Sequence, residues 1–137
     1  MAIVYVFHHS YNHNQFKGVQ IIKKWCPENL IGSAAHFIYD FLCLRDALKN
    51  KFDVIFEFGY QSVALSFLLL PIKGSIIVTN MDGLEWKRAK WSTFVKKITK
   101  WFEGIAAKKS TVLKSDNKGI YDYLKQKYNA DSVMIPY

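Results

Sequence analysis

The strongest constraint on this chain is an alternation. Short runs rich in β-branched and aromatic residues, IVYVF (3–7), GVQIIKK (18–24), DVIFEFG (53–59), SIIVT (75–79), STVLKS (110–115) and SVMIPY (132–137), recur along it. Such runs fit a pleated, buried surface and read as strands. Three of the stretches between them, SAAHFIYDFLCLRDALKN (33–50), the segment 84–109 and DNKGIYDYLKQKY (116–128), carry apolar residues at helical steps. In the first, Phe37, Phe41, Leu44 and Leu48 share one stripe. QSVALSFLLL (61–70) is a shorter helix closed by Pro71, whose ring cannot continue the turn. Parallel strands need a crossover of about this length, which antiparallel neighbours do not. The expectation is one α/β domain over residues 1–137: a Rossmann-like, mostly parallel sheet of about five or six strands with helices on both faces.

Other classes of protein are disfavoured. The longest apolar stretch, Val63 to Ile72, is about half of what a bilayer span requires. The opening AIVYV has no basic leader, so no secretory signal is read and a cytoplasmic location is expected. Cys26 and Cys43 lack CxxC spacing and read as reduced packing residues. No repeat or low-complexity tract divides the chain.

The polar residues concentrate at strand ends. TNMDGLEWKRAKWS (79–92) follows the strand SIIVT directly, and in open α/β sheets ligands bind beyond the carboxyl ends of strands. Asp82 is the candidate catalytic residue, since a carboxylate there can orient a hydroxyl or take its proton. The alternative is that Asp82 and Gly83 make a turn and cap the next helix. Asn80, Gly83 and Glu85 are candidate binding residues, and Lys87, Arg88 and Lys90 can meet a diphosphate or form a solvated first turn. Glu57 follows another strand, as do Ser115 and Asp116, which line the same cleft or cap the following helix. His8 and His9 follow the first strand and are candidates for substrate contact. With His13 they spell HHxxxH, but no carboxylate ligand lies nearby and no metal is expected.

Charge is concentrated too. The chain carries a net charge of +8, and residues 84–109 hold eight cations against Glu85 and Glu103. The same segment places Trp91, Phe94, Val95, Ile98, Trp101, Phe102 and Ile105 at helical steps. It reads as a helix with one apolar and one basic face, either docked on the sheet with its lysines in water or touching an anionic membrane surface as well. Glu103, inside the apolar part, is expected to pair with a lysine one turn away.

NMDGLEWKRAKWS, then Glu103 in KWFEGIAAKKS, then KSDNKGIYDYLKQKY and the closing MIPY resemble the amino-terminal domain of bacterial rhamnosyltransferase-like glycosyltransferases, which are retaining and have the GT-B architecture. The likeness extends back through residues 27–62 and covers most of the chain. Such enzymes begin with a strand and a glycine-rich loop, whereas the opening IVYVFHHS here resembles their second strand. The resemblance implies that residues 1–137 are the acceptor-side half of a two-domain enzyme, shortened at both ends, with the nucleotide-sugar-binding domain absent. It implies transfer of rhamnose or another hexose from a nucleotide-sugar donor to a polysaccharide or lipid-linked glycan acceptor. No cofactor is implied, and the fragment alone is expected to be inactive. The competing reading is a basic module without catalysis, binding an anionic membrane or nucleic acid. With no recognised nucleic-acid motif, nucleic acid is not an expected partner.

Overall fold

The computed structural model describes residues 1–7, 13–89 and 91–136. Strands β1 (Ile3–Val6), β2 (Gln15–Phe16) and β3 (Val19–Lys23) come first. Helices α1 (Glu28–Ile31) and α2 (Ala35–Lys49) lead to β4 (Val54–Glu57). Then α3 (Ala64–Leu69), β5 (Ile76–Met81), α4 (Thr93–Lys109), β6 (Val112–Ser115), α5 (Lys118–Tyr128) and β7 (Ser132–Met134) alternate to the end. This is a Rossmann-like α/β fold, with a four-stranded, all-parallel sheet in the order β4-β5-β6-β7 and helices flanking it.

The strands do not form one sheet of five or six. Those before α2 make a separate three-stranded sheet, β1-β3-β2. There β1 runs parallel to β3, while β2 turns back antiparallel on it. The reversal rests on Lys17 and Gly18, both at positive φ (46° and 83°), the geometry of the tight hairpin turn whose twist suits two paired strands. Glycine takes that conformation freely, and the lysine beside it obscures the turn in the sequence.

Local chemistry sets the helix ends. Ser92 accepts from the Val95 amide at 3.3 Å and starts α4, and Asn117 accepts from the Ile120 amide at 3.0 Å and starts α5. Asn129, at φ 51°, closes α5 in the left-handed conformation, with its amide donating to the Leu124 carbonyl. The core lies between the parallel sheet and its helices: Leu44 and Ala47 of α2, Phe67 of α3, Ile77 and Met81 of β5, Phe102 and Ala106 of α4, Leu113 of β6 and Leu124 of α5. Each large side chain buried there contributes on the order of 1.5–3 kcal/mol.

Helix α4 is rotated relative to the expected apolar stripe. It buries Thr99, Phe102, Glu103, Ile105 and Ala106, while Phe94 and Trp101 are 72% and 55% exposed. The reason is Glu103, only 1% exposed. Its carboxylate accepts from Trp86 Nε1 at 3.0 Å and from the hydroxyls of Tyr123 (2.6 Å) and Tyr128 (2.7 Å). Three donors satisfy an anion that would otherwise be excluded from the interior, so the face carrying it can turn inward. The expected lysine partner is replaced by an indole and two phenols.

Candidate functional site at the strand ends

Because β4, β5 and β6 are parallel and in register, Glu57 aligned with Thr79 and Met81 with Ser115, their carboxyl ends share one edge. Glu57, Asp82 and Ser115 all stand at it. Beside this edge lies a cleft of about 440 Å³, whose polar lining comes from Asp40, Glu57, Gln61, Ser62 and Asp82 and whose apolar lining comes from β1, β4 and α2.

Asp82 is exposed and faces this cleft just past the end of β5. Its loop is tethered. Tyr60, fully buried, donates its hydroxyl to the Gly83 carbonyl at 3.1 Å. One residue before β5 ends, the buried Asn80 donates its side-chain amide to the Phe58 carbonyl at 3.3 Å. Together these bonds join the loop after β4 to the loop after β5 and fix how the carboxylate is presented. Gly83 thus serves through its carbonyl, and Asn80 holds the loops together from outside the cleft lining.

Glu57 is the most perturbed carboxyl in the cleft. Burial, reinforced by the negative charge of Asp40, pushes its pKa from 4.5 up to about 8. Asp40, on α2, is itself raised by burial, opposed by the Ser62 hydroxyl that donates to it and by nearby His36. Two carboxyls in one recess resist carrying two negative charges, so one proton is retained near neutrality. A carboxyl of that kind can both donate and accept a hydrogen bond to a hydroxylated ligand, and perturbed groups in clefts mark functional sites. Sequence reasoning named Glu57 but missed Asp40 and Ser62. The available signal was a carboxylate inside the apolar run from Phe37 to Leu44 of α2, one turn after His36.

Other candidates lie apart from the cleft. Ser115 is fully buried, accepts from the Ser132 hydroxyl at 3.0 Å and, through its carbonyl, from the Ile135 amide, joining β6 to β7. Asp116 pairs with Lys114, and the cap of α5 is Asn117 instead of Ser115 or Asp116. Lys87 and Arg88 are exposed, and neither lines the cleft; the Lys87 ammonium lies 5.4 Å from the centre of the Trp86 ring. Glu85 opens a single 3-10 turn, Glu85–Lys87. His8, His9 and Lys90 lie outside the described residues. Among the described residues, no group of histidines, cysteines and carboxylates could hold a metal ion.

Much of the tryptophan- and lysine-rich segment is therefore a joint. Trp86 donates to Glu103 and carries the Lys100 ammonium 4.3 Å from its ring centre, a cation–π arrangement. That contact fixes the segment after Asp82 against α4, while Asp82 itself is left toward the cleft.

No curated protein matches the chain significantly. A family match covers residues 5–137, from β1 through the cleft-forming strand ends to β7, and by it the chain belongs to the family described as "Domain of unknown function (DUF1972)".

Proposed function

We propose that this chain is the acceptor-side domain of a glycosyltransferase that moves a sugar, rhamnose or another hexose, from a nucleotide-sugar donor to a polysaccharide or lipid-linked glycan precursor. The observation that carries this reading is Asp82, tethered at the carboxyl end of β5 and facing a cleft shared with Glu57, Asp40 and Ser62. Family membership supports it, since this domain occurs in amino-terminal regions of glycosyltransferases. Carbohydrate hydroxyls are both donors and acceptors, which suits a cleft where Glu57 keeps its proton near neutrality beside other carboxyls. Asp82 orients the acceptor hydroxyl, and Glu57 and Asp40 hold neighbouring hydroxyls. The donor nucleotide belongs to a second domain outside residues 1–137, and transfer proceeds with retention, the donor phosphate helping the acceptor proton leave.

The same reading places the domain at the inner face of a cell membrane. Phe94 and Trp101 are exposed on the outer side of α4, and Lys97, Lys108 and Lys127 border a shallow groove there with Trp101. Aromatic rings among lysines suit an anionic lipid surface. Among the described residues, no helix is long and apolar enough to cross a membrane; the proposed contact is a peripheral one.

The test is made in an active two-domain member of the family. Replacing the residue equivalent to Asp82 by alanine should lower kcat at least about tenfold, roughly 1.4 kcal/mol of transition-state stabilisation, with donor binding unchanged. Unchanged turnover would return Asp82 to a turn residue.

A further inference from the structure

Gly104 sits inside α4 at a place where neither backbone geometry nor crowding calls for a glycine. Its helical conformation suits any residue, and a Cβ there would meet the Tyr128 side chain at 3.7 Å, an ordinary contact. Glycine inside a helix is less stable than alanine. What it leaves here is open space. Gly104, Ile105 and the Tyr128 ring floor a groove of about 430 Å³ between α4 and the end of α5, a volume typical of small-ligand sites. The Tyr128 hydroxyl is held on the Glu103 carboxylate at 2.7 Å, so that wall of the groove is already fixed.

The rim is basic. Lys97, Lys100, Lys108 and Lys127 line it beside Trp101, whose indole is 55% exposed. Among the described residues no carboxylate lines the groove, and none pairs with Lys97, Lys108 or Lys127. Glu103 is turned inward on Trp86 and two tyrosines, and Asp131 is taken by Lys125. Lysines in a last turn also complement the carbonyl end of their helix, which accounts for Lys108 and Lys127. Lys97 and Lys100 lie in the first half of α4 and have no such role.

Distance restricts what this rim can hold. Lys97 and Lys108 are eleven residues apart, about 16 Å along the helix, so they suit different anions. At one end of the groove the cations come from two helices, Lys108 one turn beyond Gly104 and Lys127 beside Tyr128. Toward the other end, Trp101 lies one turn before Gly104 and offers an apolar surface. An amphiphile with one phosphate fits this order, charged at one end and apolar next to it.

We propose that the groove between α4 and α5 is a discrete site for one phospholipid molecule. Its phosphate lies between Lys108 and Lys127, and its glycerol and first methylenes run past Gly104 onto Trp101. Lys97 is left to neighbouring headgroups. The site rests on the reading that α4 faces a membrane but not on sugar transfer, and it makes that contact a bound lipid instead of a diffuse attraction between charges.

The probe is dihexanoyl phosphatidylglycerol, kept monomeric below its micelle-forming concentration and titrated into the chain, with the Gly104 amide and the Trp101 Nε1–H followed by NMR. Saturable shifts at both, fitting one site, are expected. Binding should be at least about tenfold tighter than that of glycerol phosphate or inorganic phosphate, since two buried methylenes supply that much. Gly104→Leu fills the groove with every charge in place and should weaken lipid binding at least about tenfold. Should that variant misfold, Lys108→Gln combined with Lys127→Gln tests the same site through two exposed side chains and should weaken it as much. Equal affinity for the lipid and inorganic phosphate, unsaturable shifts, or native affinity in a folded variant would overturn the proposal. Sedimentation with phosphatidylglycerol vesicles separates the site from the broader reading. A chain that sediments without saturable lipid shifts loses the site alone, whereas one that binds monomeric lipid without sedimenting keeps the site and loses the membrane contact.

Discussion

The Tyr128 hydroxyl donates to the Glu103 carboxylate at 2.7 Å, joining the end of α5 to the middle of α4 at a site where the carboxylate is almost wholly buried. Tyr123 donates to the same oxygen, and Trp86 to the other. Glu103→Ala should therefore destabilise the domain by at least about 3 kcal/mol, because three part-buried donors lose their acceptor together. Tyr128→Phe, which keeps the ring, should cost about 1.5–3 kcal/mol. Urea unfolding followed by tryptophan fluorescence measures both. Equal stability of Glu103→Ala and the native sequence would remove the cluster from the account of how α4 is oriented.

Tyr60 should act on Asp82 through the loop. Its hydroxyl holds the Gly83 carbonyl at 3.1 Å, so Tyr60→Phe is expected to cost about 1 kcal/mol of stability. At the equivalent position of an active relative it should lower kcat more than it changes KM, the signature of a positioning residue. A change confined to stability would assign Tyr60 to packing alone.

Glu57 makes stability depend on pH in a direction opposite to that of a paired carboxylate. Its pKa rises from 4.5 in the unfolded chain to about 8 in the fold. Between those values the folded protein holds a proton that the unfolded chain has released, so this contribution is full below pH 4.5 and is lost as pH rises through 8. Urea titrations at pH 5 and pH 8 should show a fall of more than about 1 kcal/mol in the native sequence. In Glu57→Gln most of that fall should be absent, with a smaller slope left by Asp40, whose pKa burial also raises. An undiminished slope would place its source elsewhere.

The outer face of α4 should bind anionic vesicles. Phe94 and Trp101 are the exposed aromatics, and Lys97, Lys108 and Lys127 the neighbouring cations. Each cation near such a surface is worth about 1 kcal/mol, screened over roughly 8 Å at physiological salt. Sedimentation with phosphatidylglycerol vesicles at low salt, release at high salt and weak binding to phosphatidylcholine are expected. Replacing Lys97, Lys108 and Lys127 by glutamine should abolish the binding without unfolding the domain. Lys100 is the less informative target, because its ammonium already rests over Trp86. Equal sedimentation with both lipids would leave the face without an electrostatic role.

The sequence by itself determined the order of the longer elements and the polar strand ends, because both are written in short-range pattern, though not the two-residue β2 or the short α1. Runs such as SIIVT and VIFE favour pleated backbone within a few residues, although the cap of α5, expected at Ser115 or Asp116, is Asn117. The polar cluster after β5 was legible for the same reason, since Asp82 directly follows a strand. Tertiary structure decided what depends on distant partners. Helical period put Phe94 and Trp101 on the inner stripe of α4, and the rotation that exposes them follows from Trp86, Tyr123 and Tyr128, which reach Glu103 from elsewhere in the chain. The cleft carboxyl that sequence reasoning missed, Asp40, is 42 residues before Asp82 and shares a cleft with it only because α2 lines the same recess as β4 and the loop after β5. The division into two sheets was hidden as well, for strand pairing joins distant residues and the unpaired edges of IVYV and VIFE look, in sequence, like any interior strand.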